Sequence, residues 1–199
     1  MQAQNCEFIE VNLADTAWEA MYAPYDQSTY QSVLELLGPE DVVLDIGAGD
    51  LRFSRQAALT VEKVYAVEIN AQVLDQACTR FEPMPDRLIT ICADAQVLDF
   101  PTDITVGVLL MRHCTHFRFY SEKLRKAGAK RLITNARWRM STEEVDLQVE
   151  RLSYREVDMG WYACLCGRAG FKVGSAEQWS IEKDKLVHEV ADCPQCNQV

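Results

Sequence analysis

Asp41-Val42-Val43-Leu44-Asp45-Ile46-Gly47-Ala48-Gly49-Asp50 is the stretch that decides how this chain folds. Its first six residues form a short, nearly continuous apolar run, the pattern of a strand buried on both faces. Two glycines then end the run, where the backbone can turn tightly and approach a ligand with no Cβ in the way. Residues 51–59 follow with helical character, so the glycines stand where a strand hands over to a helix. In open α/β sheets that junction lies outside the carboxyl ends of the strands, where ligands bind.

Outward from this stretch the hydrophobic period keeps switching. Tyr30, Val33, Leu34 and Leu37 have helical spacing in residues 26–37, and Gly38 is placed to stop that helix. Residues 64–67 read as a second strand, and Val73, Leu74, Ala77, Cys78 and Phe81 as the apolar face of a helix. Residues 88–92 and 104–110 read as third and fourth strands, 117–127 as a helix closed by Gly128, and 131–134 as a fifth strand. Ser141 and Glu144 have capping-box spacing, which predicts a further helix there. This alternation predicts an α/β fold: a doubly wound, mostly parallel sheet with helices on both faces.

Composition bounds the function. Apolar residues make up 48% of the chain, enough for a real core at 199 residues. No stretch approaches the ~20 apolar residues of a membrane span. Residues 1–10 are polar and acidic, unlike a signal or transit peptide, so a cytoplasmic location and no membrane partner are expected. The net charge of −10 disfavours nucleic acid as a partner unless basic residues cluster. One such cluster spans residues 123–139, with Lys123, Arg125, Lys126, Lys130, Arg131, Arg137 and Arg139; its simpler reading is a solvated helix face followed by a strand.

Acidic residues mark successive strand tips. Asp45 precedes the first glycine by two residues, and Glu68 ends the second strand, where a carboxylate can accept from both hydroxyls of a ribose. Asp94, followed by Ala95, comes after the third strand. On these residues the chain resembles the class I S-adenosylmethionine-dependent methyltransferases, Rossmann-like enzymes, over residues 22–137. The resemblance implies that the loop with Asp45, Gly47, Gly49 and Asp50 cradles the methionine part of S-adenosyl-L-methionine. It implies that Glu68 holds the ribose and that Asp94 and Ala95 lie at the adenine. Tyr22-Ala-Pro-Tyr25-Asp-Gln-Ser-Thr29 looks like the N-terminal cofactor loop of the Dot1-like lysine methyltransferases, which adds Tyr25 to the cofactor set. Gly49-Asp50-Leu51-Arg52 is similar to their Gly-Asp-Gly-Arg, with the departure that Leu51 replaces a glycine. A nicotinamide fingerprint is disfavoured, because Arg52 stands where G-x-G-x-x-G needs a small residue.

Methyl transfer requires an aligned nucleophile and, for some acceptors, a base. The fourth strand runs into Met111-Arg112-His113-Cys114-Thr115-His116, at the strand end that faces the methyl group in this fold. His113 and His116 are therefore the candidate bases. Arg112 is a candidate for the cofactor carboxylate or an anionic substrate. Asn135 and Trp138, after the fifth strand, are equally a turn residue and a core aromatic or the lining of a substrate side.

Of the eight cysteines, Cys78 and Cys92 lie in apolar patterns and read as small hydrophobes. Cys164/Cys166 and Cys193/Cys196 instead form two close pairs, which resemble the knuckles of a zinc ribbon and predict a structural Zn2+ site of four thiolates. His188 is a substitute ligand, and a redox dithiol is the competing chemistry. The intervening residues are expected to form a β-hairpin with strands 171–175 and 185–190, bringing the pairs together. The predicted organisation is a cofactor-binding domain over residues 1–160 and a zinc-carrying hairpin over 161–199, packed on the sheet or continuous with it. The expected function is methyl transfer to an acceptor that is a small molecule, a protein or RNA. The alternative is a non-catalytic module that uses its zinc ribbon for partner contacts. Oligomeric state is not legible in the sequence.

Overall fold

A computed structural model of the chain describes residues 25–112, 114–137 and 141–196. The chain divides into two compact units between Asp99 and Phe100. Parallel ladders with flanking helices run through both, giving the mostly parallel, Rossmann-like α/β architecture that the alternation predicts.

In the first unit α1 (Gln27–Leu34) precedes β1 (Val42–Ile46), α2 (Arg52–Ala57), β2 (Lys63–Glu68), α3 (Ala71–Arg80) and β3 (Leu88–Cys92). Asp26 caps α1 by accepting from the Thr29 amide, and Asn70 caps α3 through the amides of Gln72 and Val73. The strands are parallel in the order β3-β2-β1, with Val43 opposite Val64 and Val64 opposite Leu88. All five residues of β1 are buried, as its unbroken apolar run requires. Val43, Leu44, Val61, Val64 and Ala66 are fully enclosed. Cys78 and Cys92 are half-buried and are not part of that core.

The second unit starts with β4 (Val106–Leu109), α4 (Phe117–Ala127) and β5 (Arg131–Thr134), the two strands again parallel. Phe117, Tyr120, Ser121 and Leu124 are the buried face of α4, at i, i+3, i+4 and i+7, and Gly128 closes the helix as expected. β6 (Glu143–Asp146) corrects the sequence reading, which placed a helix at Ser141 and Glu144. It is a strand, antiparallel to β5, with Val145 buried opposite Leu132 and Glu144 opposite Ile133. A capping box is a local preference. Here it loses to burial of Val145 and to ion pairs from Arg131 to Glu144 and from Arg137 to Glu143, at 2.6 and 2.9 Å.

A three-stranded sheet completes the unit in the order β8-β7-β9, from β7 (Gly160–Cys164), β8 (Ala169–Lys172) and β9 (Val187–Val190). A 3-10 turn (Ala176–Gln178) and α5 (Ile181–Lys185) lie between β8 and β9. The C-terminal hairpin exists, but its strands are β7 and β8. Residues 171–175 and 185–190 do not pair with each other; β8 and β9 each pair with β7, the latter in parallel. Tyr162 and Val190 are buried in a small core with Val157, Cys164 and Cys193, which rewards the parallel register. Among the described residues no helix is long and apolar enough to cross a membrane.

Candidate functional site

The glycine loop of the first unit is held from β2. The carbonyl of Val67 accepts from the amides of Gly47 and Ala48, both at 2.9 Å. Gly47 and Gly49 have φ of 75° and 54°, the left-handed region that glycine enters without strain. Leu51 follows with φ 61°, which explains why a glycine is usual there. Its side chain is fully buried, so apolar burial offsets the backbone cost. Asp50 pairs with Arg52 at 2.6 Å, across the start of α2.

Glu68 organises the loop. One carboxylate oxygen accepts from the Gly49 amide at 2.8 Å, and the other from the Asn70 amide at 2.9 Å. The half-buried side chain thus ties the glycine loop to the start of α3. A Cβ built at Gly49 would meet no atom of the described residues within 4 Å. Among the described residues the loop thus leaves space beside an acid whose second lone pairs remain available, a pairing suited to a ligand that carries hydroxyls.

Asp45 sits beneath this loop and is buried, accepting a short hydrogen bond from the Ser54 hydroxyl of α2. Burial pushes its carboxyl up to about 7; the Ser54 bond opposes the rise and the Glu68 charge adds to it. Nothing in the sequence around Ser54 marks it as this partner. Asp94, after β3, accepts from the Gln96 amide at 2.8 Å, and its carbonyl from Val97 and Leu98. Ala95 beside it is buried. Tyr25 stacks edge-on with Tyr30 at 6.4 Å, and Tyr30 lies 6.2 Å from Phe53 of α2. Burial, then the Asp50 charge, push the Tyr30 phenol up, so this aromatic group borders the loop.

The remaining candidates belong to the second unit. Arg112 and His116 are exposed in the segment after β4. His116 is the residue before α4 and makes no side-chain capping bond; its ring is edge-on to Tyr120 at 6.5 Å. Between them Cys114 is half-buried, and burial pushes its thiol up against a hydrogen bond with the His116 backbone. His113 and Trp138 lie outside the described residues, as does Arg139 of the basic stretch. Of the rest of that stretch, Lys123, Arg131 and Arg137 make contacts within the fold, while Arg125, Lys126 and Lys130 are exposed. Arg131 pairs with Glu144, Lys123 lies 4.5 Å from the Phe100 ring centroid, and Arg125 and Lys126 occupy the last turn of α4.

Arg137, a member of that basic stretch, is a buried hub. Its guanidinium bonds both oxygens of Glu143 and both of Glu189, at 2.6 to 3.1 Å. Burial opposes its charge, but the two carboxylates hold it protonated.

The four paired cysteines do converge. Their sulfurs all lie within 4.8 Å of one another. Cys164 to Cys196 is 3.5 Å, while Cys166 to Cys193 and Cys193 to Cys196 are each 3.7 Å. A tetrahedron with Zn–S bonds of ~2.3 Å has sulfur–sulfur edges of about 3.8 Å. Backbone amides of Cys166 and Cys193 point at the sulfurs of Cys164 and Cys196, at 3.5 and 3.3 Å, as donors that favour thiolate. Cys164 is opposite Val190 in the β7–β9 ladder, so the segment after β9 emerges beside the turn after β7. His188 pairs with Tyr162 at mid-strand and is not in the cluster. The cluster is compatible with a zinc site.

The strand–glycine loop–helix within a mostly parallel sheet defines a Rossmann-like fold. Residues 43–133 match the family described as "Methyltransferase domain". No curated protein matches the chain. Among solved structures, the YcgJ protein from Bacillus subtilis is 18% identical with TM-score 0.47, over 55% of this chain and 50% of that one. An RNA methyltransferase from Salinibacter ruber, in complex with S-adenosyl-L-homocysteine, is 21% identical with TM-score 0.45, over 56% and 76%. Precorrin-6y C5,15-methyltransferase from Geobacter metallireducens is 17% identical with TM-score 0.49, over 57% and 64%. The chain thus spans half the length of the Bacillus protein.

Proposed function

We propose that this chain is an S-adenosyl-L-methionine-dependent methyltransferase of the cytoplasm, with residues 1–160 carrying the cofactor domain and 161–199 a structural zinc site. The observation that supports it most is the pairing of Glu68 with the Gly49 amide beside space that no described residue fills. In this reading Glu68 accepts from the ribose and the backbone of Gly47 and Gly49 approaches the methionine moiety. Asp50 and Tyr25 complete that side, and Asp94 with Ala95 borders the adenine; Arg112 is offered for the cofactor carboxylate or an anionic substrate. Asp45, bonded to Ser54, braces the loop from below. The cofactor supplies an electrophilic methyl group on a sulfonium. His113 and His116 are the residues offered for taking a proton from the acceptor. The acceptor class stays open among small molecules, proteins and RNA.

Calorimetric titration of the purified chain with S-adenosyl-L-methionine tests this reading. Stoichiometric binding, followed by transfer of labelled methyl into an acceptor from an extract, is the expected result. No heat and no thermal shift would leave the non-catalytic module, to which the buried Leu51 in the glycine position lends support. Zinc is read from the four sulfurs, and metal analysis should return one zinc per chain, lost in Cys193→Ser.

A further inference from the structure

The turn that joins β7 to β8 carries Cys166 and Gly167, and it rests on α4. Gly167 has φ 91°, and a Cβ there would lie 2.9 Å from the Phe117 Cβ. The backbone of the cysteine turn is therefore laid directly on the first residue of α4. Phe117 is fully enclosed, and the Arg137 guanidinium lies 5.5 Å from its ring centroid. The next residue, Arg118, donates from Nη2 to the carbonyl of Ala191 at 2.9 Å, two residues before Cys193. The first two residues of α4 thus touch one cysteine-bearing segment each.

The helix start has little else of its own to fix it. His116 makes no side-chain capping bond, and the first turn of α4 contains no acidic residue to complement the dipole. Its placement depends on contacts from outside the helix, and Gly167 and Ala191 supply two of them.

We infer that metal held by Cys164, Cys166, Cys193 and Cys196 positions the start of α4, and with it His116. The centre then acts as a latch on a residue offered above for proton transfer, beyond stapling the tail. His116 is here a residue whose place is set through Phe117 and Arg118. The inference rests on reading the cysteine cluster as a zinc site.

Hydrogen exchange of the full chain, with zinc, after chelation and after zinc is returned, reads the coupling directly. The expected result is at least tenfold faster exchange of the α4 amides of Tyr120 and Ser121 on metal removal, reversed by zinc, with β2 amides unchanged. Equal exchange with and without zinc overturns the inference, and so does an equal loss of protection in β2, which would mean global unfolding. Arg118→Met, at an exposed position, gives a second measurement. It should keep one zinc per chain while raising exchange at the start of α4 and shifting the His116 imidazole resonances. Unmoved resonances with zinc retained would count against the latch. These readouts are independent of cofactor binding. A chain that couples zinc to α4 but binds no S-adenosyl-L-methionine would lose the enzyme reading alone, and the converse result would lose only the latch.

Discussion

The Asp45 carboxylate accepts the Ser54 hydroxyl inside the first unit, beneath the glycine loop. An acid so enclosed makes the fold answer to pH. Its folded pKa is raised from 3.8 to about 7, so the native state holds a proton that the unfolded chain has already released. Stability from this group is full below about pH 4 and falls as pH rises through the window to about 7, by at most about 4 kcal/mol. Asp45→Asn should flatten that component and raise the midpoint of urea unfolding at pH 8. Parallel denaturation series at pH 4.5 and 8 check it; an unchanged pH slope in the variant would refute the assignment.

Gly49 and Glu68 can be separated experimentally. Gly49→Ala places a methyl where no atom of the described residues lies within 4 Å, so its expected folding cost is the backbone cost, about 1 kcal/mol. Affinity for S-adenosyl-L-methionine should nonetheless fall by tenfold or more. Glu68→Gln keeps an acceptor for the Gly49 amide but loses the charge, and should weaken binding by roughly 10- to 100-fold. Calorimetry on both variants, with thermal melts as control, is the measurement. Wild-type affinity in Gly49→Ala would show that the cofactor lies elsewhere.

Leu51→Gly tests the departure in the loop. Relief of the positive φ returns about 1 kcal/mol, whereas truncating a fully buried leucine costs about 2–5 kcal/mol. The variant should therefore be less stable by urea denaturation, although it restores the usual glycine. A more stable variant would mean that Leu51 contributes strain and little packing.

Arg137→Met should be among the most damaging substitutions in the second unit. It removes the guanidinium that Glu143 and Glu189 share, with Arg151 still 3.6 Å from Glu189, an expected loss of about 3 kcal/mol. Adding Glu143→Gln and Glu189→Gln should recover part of it, as measured by thermal unfolding of the single and triple variants. No recovery would place the cost in lost packing on Phe117.

The sequence carried what is local. Gly47 and Gly49 could be placed because a buried strand precedes them and a helix follows, and Glu68 because it ends the next apolar run. The cysteine pairs were legible from spacing alone. What escaped depends on distant partners. Ser54 looks like any small helix residue until Asp45 is seen beside it. Glu144 resembles the end of a capping box until Arg131 is found across the strand. The run Gly160-Trp161-Tyr162-Ala163-Cys164 was not read as a strand, so β8 and β9 were matched to each other when both belong to it. Arg137 was lost in a count of positive charges, where its two carboxylates do not register.

The parallel register of β9 on β7 also sets an order of events. Cys166 and Cys193 are 27 residues apart in the chain, and their sulfurs meet only after the last strand has docked on the middle one. During synthesis the first pair leaves the ribosome with half a binding site and waits for the second. On the proposed zinc reading, metal uptake follows strand docking, and a nascent chain stalled between the two pairs would hold no ion tightly. In the proposed zinc reading, incorporation of the metal marks that the β8-β7-β9 sheet has closed.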